Sequence, residues 1–81
     1  MVNYYIKKDI LFVDRNIFQK GLSSTAIGLF LSLAAQPEED YYHIHQITSQ
    51  TYDLKEIKAA IDELSNKGLI ERKRKRYKAV K

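Results

Sequence analysis

The sequence lacks several features on which other classes of small protein depend. It contains no cysteine, which excludes a disulfide framework, a thiolate zinc site and an iron–sulfur cluster. None of its apolar runs approaches the roughly 20 residues of a membrane helix. The N-terminus also lacks the charged start and long apolar stretch of a secretion signal. We therefore expect a soluble, cytoplasmic protein with no membrane partner.

Signatures of catalysis and of cofactor binding are missing as well. The three glycines form no loop that could cradle a phosphate, and no Ser/His/Asp arrangement stands in a supporting context. His43 and His45 could bind a metal together, but the sequence offers no third and fourth ligand at a convincing spacing. A chain of 81 residues has room for one modest core, and not for a deep catalytic cleft as well. We expect a single domain over residues 1–81, with no enzymatic activity, no cofactor and no metal.

Positive charge is present in excess, and it is unevenly distributed. Residues 66–81 hold eight basic side chains and one acidic side chain, which gives this segment a net charge of +7. Residues 1–65 carry a net charge of −3. A basic end on a slightly acidic body suggests a surface for a polyanion such as nucleic acid. The alternative is a solvated charged end that keeps the protein in solution.

The N-terminal residues favour extended structure. Residues 4–13 are rich in β-branched and aromatic side chains, and Asp9 leaves one bent strand or two short strands open. Residues 14–21 fit either a short helical turn or a loop. Four tyrosines in this sequence could stack on nucleic-acid bases or, alternatively, pack at a sheet edge. They are Tyr4, Tyr5, Tyr41 and Tyr42.

A buried helix is predicted next. Ser23 and Ser24 are good N-caps, and residues 25–35 carry apolar side chains on nearly every face, which is typical of a helix surrounded by protein. The segment 36–40 contains the single proline and three acidic residues, so it ends this helix and forms an acidic loop.

The second half predicts a short helix, a tight turn and an amphipathic helix. Residues 43–50 fit the short helix, and residues 51–53 form the turn, with Asp53 as the N-cap of a helix over 54–67. Gly68 is the expected C-terminal cap. Four apolar residues at spacings of 3, 4 and 3 form one stripe along this helix. They are Leu54, Ile57, Ile61 and Leu64.

A basic hairpin is predicted at the C-terminal end. Residues 69–73 and 76–80 fit two short strands joined by a tight turn near residues 74–75, and residues 41–42 fit a third, very short strand. Alternation along an extended chain would put Arg72, Arg74 and Arg76 on one face if the turn is ignored.

The segment from Ile44 to Arg72 resembles a known superfamily. Its run Ile61-Asp-Glu-Leu-Ser-Asn-Lys-Gly-Leu-Ile70 is similar to the end of the recognition helix and the first wing strand of winged helix-turn-helix domains. The run Leu22-Ser-Ser-Thr-Ala26 is similar to a helix start in bacterial, plasmid and phage domains of transcription regulators and replication-initiation proteins. The resemblance covers roughly residues 12–80.

This resemblance implies an α+β fold with a three-helix core, a small antiparallel β-sheet and a C-terminal basic β-hairpin, the wing. The helix-turn-helix would span about 43–67 and the wing about 69–80. It also implies double-stranded DNA as the partner, in transcription regulation or DNA replication. The recognition-helix contacts would fall on Asp53, Leu54, Lys55, Lys58 and Ala59. The wing contacts would fall on Arg72, Lys73, Arg74, Lys75 and Arg76, beside which Tyr77 could stack or donate to a phosphate.

Two other interpretations remain open at this stage. The helix over 54–67 carries three basic and three acidic residues, so its charges could simply pair at the helix surface, Lys58 with Asp62 and Glu63 with Lys67. A neutral helix and an acidic body would suit a protein-interaction adaptor on a winged-helix scaffold, with other replication or transcription proteins as partners. The basic wing alone would suit nonspecific nucleic-acid binding. Binding to two half-sites would require a homodimer.

Overall fold

Eight short elements form the structure, a computed structural model that describes residues 2–47 and 53–81. In chain order they are β1 (Tyr4–Lys7), β2 (Ile10–Val13), a 3-10 helix (Arg15–Gln19), α1 (Ser24–Ala34), α2 (Ile44–Ile47), α3 (Leu54–Asn66), β3 (Ile70–Lys73) and β4 (Arg76–Ala79). The α+β class is therefore confirmed. The end of the predicted short helix, residues 48–50, and most of the predicted turn, residues 51–52, lie outside the described residues.

The strands form two separate two-stranded antiparallel sheets. In the N-terminal hairpin (residues 4–13), Tyr4 pairs with Val13 and Lys7 with Ile10, so the extended region consists of two short strands. In the basic hairpin (residues 70–79), the register runs from Ile70 opposite Ala79 to the tip of the hairpin.

The two hairpins are joined by side-chain hydrogen bonds. The Asn3 amide donates to the Val80 carbonyl at 3.0 Å, and the Tyr4 hydroxyl donates to the Ala79 carbonyl at 3.4 Å. The predicted strand at 41–42 is reduced to a single antiparallel bridge, in which Tyr42 and Tyr77 exchange two N–H···O bonds of 2.8 Å. This bridge places a third, very short extended segment beside β4 of the basic hairpin.

Helix boundaries follow from capping chemistry. Ser23 caps α1, since its Oγ accepts the backbone N–H of Ala26 at 3.2 Å. At the end of α3, Gly68 has a φ of +69°, a conformation that L-residues with a side chain rarely adopt. The Leu69 N–H then donates to the Leu64 carbonyl at 2.9 Å, which closes the helix end. The predicted caps at Ser23 and Gly68 are confirmed.

The core is built around α1, the predicted buried helix. The four largest fully buried side chains come from four different parts of the chain: Ile17, Phe30, Leu64 and Leu69. Tyr4 of the N-terminal hairpin meets Phe30 edge-to-face, with ring centroids 5.9 Å apart. α1 also packs on α3 and β4. Burial of side chains of this size stabilises the fold by about 1.5–3 kcal/mol each, so α1 holds both hairpins in place.

Candidate nucleic-acid interface

The residues predicted to contact DNA on the recognition helix lie at the N-terminal end of α3, and all are exposed: Asp53, Leu54, Lys55, Lys58 and Ala59. Asp53 is the helix cap, because its Oδ1 accepts the backbone N–H of Lys55 at 3.0 Å. Its carboxylate is thus hydrogen-bonded to the N-terminal end of the helix, and its negative charge would repel a phosphate. Lys55 and Lys58 are the cations that the first two turns of α3 present to solvent.

The apolar stripe of α3 is shorter than predicted. Ala60 and Leu64 are buried and Ile57 is half-buried, but Leu54 is 76% exposed. Leu54 therefore does not belong to the packed part of the stripe. A side chain in the first turn points back past the N-terminal end of the helix, so it has no preceding turn to pack against. Leu54 instead adds an apolar side chain to the exposed end of α3.

Glu63 makes a contact that the sequence pattern did not predict. Its Oε1 accepts the backbone N–H of Ser23 at 2.8 Å, and its Oε2 accepts the Ser23 hydroxyl at 2.7 Å. The hydroxyl bond and then the backbone bond lower the pKa of the Glu63 carboxyl below its ordinary value. Within the described part of the chain, the salt bridge that forms joins Lys81 to Glu39. The pairing of Glu63 with Lys67, raised as an alternative to DNA contact, therefore does not form among the described residues.

Lys58 and Asp62, the second pair of that alternative, also form no salt bridge within residues 2–47 and 53–81. Lys58 is exposed, so its ammonium group is available to an anion. The carboxylate of Glu63 is turned toward the start of α1. The carboxylate of Glu63 is thus kept apart from the exposed cations in the first turns of α3.

The basic hairpin distributes its five consecutive cations over both faces and the turn. Arg72 lies opposite Tyr77, on the same face as Ile70, whereas Lys73 lies opposite Arg76 on the other face. The predicted alignment of Arg72, Arg74 and Arg76 on one face is wrong, because Arg74 occupies the turn, with a φ of +61°. The Arg72 Nε–H donates to the Arg74 carbonyl at 2.6 Å. All five cations, Arg72 to Arg76, are exposed.

Tyr77, in contrast, lies partly within the fold. It is half-buried and packs against the core, and its backbone forms the bridge to Tyr42. The ring therefore anchors the inner face of the basic hairpin. Tyr42 is placed in the same way, half-buried, with its hydroxyl donating to the Glu38 carbonyl at 3.0 Å.

Tyr41 covers the outer face of the basic hairpin, a placement that sequence reasoning missed. Its hydroxyl donates to Glu71 Oε2 at 3.0 Å. The Nζ atoms of Lys73 and Lys78 each lie 5.8 Å from its ring centroid, within the range of a cation–π interaction. The hydrogen bond to Glu71 raises the pKa of the Tyr41 phenol, so this hydroxyl stays a neutral donor at neutral pH. Glu71 is the single acidic residue among residues 66–81, and its carboxylate thus accepts a hydrogen bond from Tyr41.

A groove of about 560 Å³ separates this tyrosine segment from the tip of the hairpin. Asp40, Tyr41 and His43 line one side of it, and residues 73–76 line the other. Four consecutive cations therefore face one carboxylate across an open cleft.

No protein-family model, curated protein or solved structure matches this chain.

The histidines and the remaining tyrosines are placed as follows. The rings of His43 and His45 stack, with centroids 5.2 Å apart. Among residues 2–47 and 53–81, no three side chains of the His, Asp and Glu types come together as a metal site would require. Tyr4 is buried, and burial raises the pKa of its phenol.

The helices within residues 2–47 and 53–81 are all too short or too polar to cross a membrane.

The outer face of the N-terminal hairpin is apolar. Tyr5 and Phe12 lie opposite each other, and their rings stack at 4.7 Å with an angle of 10° between them. Both remain substantially exposed, as does Ile10 on the same face, at 57%. Contiguous exposed apolar side chains of this kind are typical of an interaction surface.

Proposed function

We propose that this chain is a winged helix-turn-helix domain that binds double-stranded DNA. In this proposal the first two turns of α3 enter the major groove, and the basic hairpin is the wing that grips phosphate beside it. The order of the elements supports the proposal, as does the packing of α1 on α3 and on β4. The process served would be transcription regulation or replication initiation, and the proposal assigns the chain no catalytic step and no cofactor.

One observation carries the proposal: α3 and the basic hairpin, which contact each other through β3, both present exposed cations. Lys55 and Lys58 are exposed at one end of α3, and the cations 72–76 are exposed around the tip of the basic hairpin, which follows α3 through β3. Lysine in a groove can reach a phosphate or a guanine edge. Consecutive cations on a hairpin neutralise phosphates, or place an arginine in the minor groove.

The acidic residues of α3 fit the same geometry. Glu63 is held by Ser23, so its charge is directed toward α1 instead of toward the exposed end of the helix. Asp53 is engaged in capping. Glu56 is exposed in the first turn, so the approach of this end of α3 to the phosphate backbone rests on Lys55 and Lys58, and Asp62 would remain outside the groove.

The test is fluorescence anisotropy with a mixed-sequence DNA duplex and three proteins: wild type, a Lys55→Ala/Lys58→Ala variant, and a variant with the cations 72–76 changed to Gln. If both elements contact DNA, both variants lose affinity. If the helix variant binds like wild type while the hairpin variant does not bind, binding is nonspecific and runs through the hairpin alone. If wild type itself does not bind at low salt, the DNA proposal is wrong.

A protein-interaction role is the second candidate, and the exposed apolar face of the N-terminal hairpin favours it. Tyr5, Ile10 and Phe12 share that face. A second copy of the chain would be the partner if the protein binds two half-sites, since two-fold DNA sites are bound by dimers. Sedimentation of wild type and of a Tyr5→Ser/Phe12→Ser variant measures whether two copies of the chain associate through this face. A wild-type monomer over the full concentration range would rule out the second copy.

A further inference from the structure

The basic hairpin and the bridge at Tyr42 together form a small three-stranded surface. Tyr42 pairs with Tyr77, so its neighbours along the chain continue the register on the opposite face. Tyr41 then lies beside Lys78, which is paired with Glu71. The next row, toward the tip, contains His43, Arg76 and Lys73, because Arg76 is paired with Lys73.

This outer face therefore combines aromatic rings with cations. In the first row, the Tyr41 hydroxyl is fixed on Glu71, and Lys73 and Lys78 lie at the distance of a cation–π contact from its ring. In the second row, the His43 ring is half-buried and stacks on His45. Lysine side chains are flexible, so an anion can draw their ammonium groups from the ring toward itself.

The groove between the two sides has the size and charge of a ligand site. Its volume of about 560 Å³ falls within the range of small-molecule sites. Four cations, residues 73–76, line one side. The single carboxylate, Asp40, already accepts the backbone N–H of Tyr41 at 2.8 Å. The net charge of the lining favours an anion, and the rings of Tyr41 and His43 favour a planar group.

We propose that this groove binds an unpaired nucleotide, with its base against the ring of Tyr41 or His43 and its phosphate held by the cations at the hairpin tip. Stacking on an aromatic side chain needs a base whose face is open, which a single strand or a free nucleotide offers and an intact duplex does not. The site lies on the outer face of the hairpin and does not include α3. The inference therefore does not depend on duplex binding.

The test uses a fluorescein-labelled oligothymidylate and, separately, unlabelled dTMP. Anisotropy measures the affinity of the oligonucleotide for wild type, Tyr41→Ala and Tyr41→Phe. Phe18→Ala is the control, because it removes an exposed aromatic ring from the 3-10 helix. Loss of one stacked base weakens binding by about fivefold to 100-fold, so we expect a loss of that size for Tyr41→Ala, near wild-type affinity for Tyr41→Phe and no change for Phe18→Ala.

The same variants are measured against a DNA duplex, where Tyr41→Ala should bind like wild type within about twofold, since a duplex presents no open base face. Circular dichroism checks that Tyr41→Ala is folded. If Tyr41→Ala does not fold, Tyr41→Phe remains as the variant that keeps the aromatic ring. The inference is overturned if wild type does not bind the oligonucleotide. It is also overturned if Tyr41→Ala, when folded, binds the oligonucleotide as wild type does, or if Tyr41→Phe loses affinity by as much as a folded Tyr41→Ala.

The dTMP arm identifies the source of the nucleotide. In NMR spectra, movement of the His43 ring signals with dTMP alone supports the site and assigns it to free nucleotides as well as strands. Movement with the oligonucleotide and not with dTMP supports the site as part of a strand-binding surface. If neither ligand moves the His43 or Tyr41 signals, the inference is wrong.

Discussion

The N-terminal hairpin and the basic hairpin have the same architecture and opposite surfaces. Each has two four-residue strands, a two-residue turn and one face that packs toward α1. The inner faces are alike, with Tyr4 in one hairpin and Ile70 and Ala79 in the other buried. The outer faces differ, since stacked Tyr5 and Phe12 cover the first, and cations with Tyr41 cover the second.

This difference separates what the fold needs from what the surface does. A hairpin docks on α1 through every second residue, so the intervening residues are free to vary. In the N-terminal hairpin three of those four positions, Tyr5, Ile10 and Phe12, are apolar and suit a protein partner, and the fourth is Lys7. In the basic hairpin they are charged and suit a polyanion. The predictions below change one face or one hairpin at a time.

The largest expected effect is on stability and comes from the shared inner face. Phe30 is fully buried and contacts Tyr4. Phe30→Ala should lower the free energy of unfolding by about 3–5 kcal/mol, because it leaves a cavity beneath the N-terminal hairpin. Phe12→Ala is the matched control on the outer face and should cost about 1 kcal/mol or less. Urea denaturation measures both, and equal losses would show that the outer face is also structural.

The next effect is on DNA affinity and should separate the two hairpins. Changing Arg72, Lys73, Arg74, Lys75 and Arg76 to Gln should weaken duplex binding by about 100-fold or more at 0.1 M salt, because the phosphate contacts of the hairpin are lost. Lys7→Gln/Lys8→Gln, at the tip of the N-terminal hairpin, is the control. Anisotropy titrations compare the two. A similar loss in the control would mean that overall charge, and not the basic hairpin, determines affinity.

A smaller effect concerns the turns. Lys8 and Asp9 have φ values of +52° and +61°, and Arg74 has +61°, so both turns place side chains where glycine is favoured. Asp9→Gly and Arg74→Gly should each raise the free energy of unfolding by about 0.5 kcal/mol. Only Arg74→Gly should also weaken duplex binding. Thermal denaturation and anisotropy together test this, and a loss of stability in either variant would contradict the account of the turns.

The smallest effect is a pH dependence at the junction of α1 and α3. Because Ser23 lowers the pKa of Glu63, this contact stabilises the protein above the unfolded carboxyl pKa of about 4.3 and is lost as the pH falls through the folded pKa. Glu63→Gln should therefore be less stable than wild type at neutral pH, and the difference should shrink below about pH 4.3. Melting curves across this range measure it. A difference that does not change with pH would rule out the ionised contact.

Local chemistry made much of the fold predictable. Ser23, Asp53 and Gly68 mark helix ends because each satisfies backbone groups or a backbone conformation that its neighbours in sequence determine. The strands of the basic hairpin and its turn follow from the alternation of side chains. These predictions needed no knowledge of distant contacts.

Two contacts that the sequence did not predict join distant parts of the chain. Glu63 binds Ser23, 40 residues away, and Tyr41 binds Glu71, 30 residues away. A periodic pattern can assign Glu63 to a face of its helix, but it cannot choose between a partner four residues on and one on another helix. The groove beside Tyr41 exists only because the Tyr42 bridge brings that segment to the hairpin. Leu54 has the same spacing as the packed residues of α3, yet its side chain is exposed.

The salt dependence of duplex binding by the wild-type chain tests the central claim most directly. If α3 and the basic hairpin neutralise about five phosphates, a plot of log affinity against log salt should have a slope of roughly −4 to −5. A slope of that size would support DNA contact through both elements. No binding at low salt, or an affinity that does not change with salt, would contradict the account and favour a protein partner.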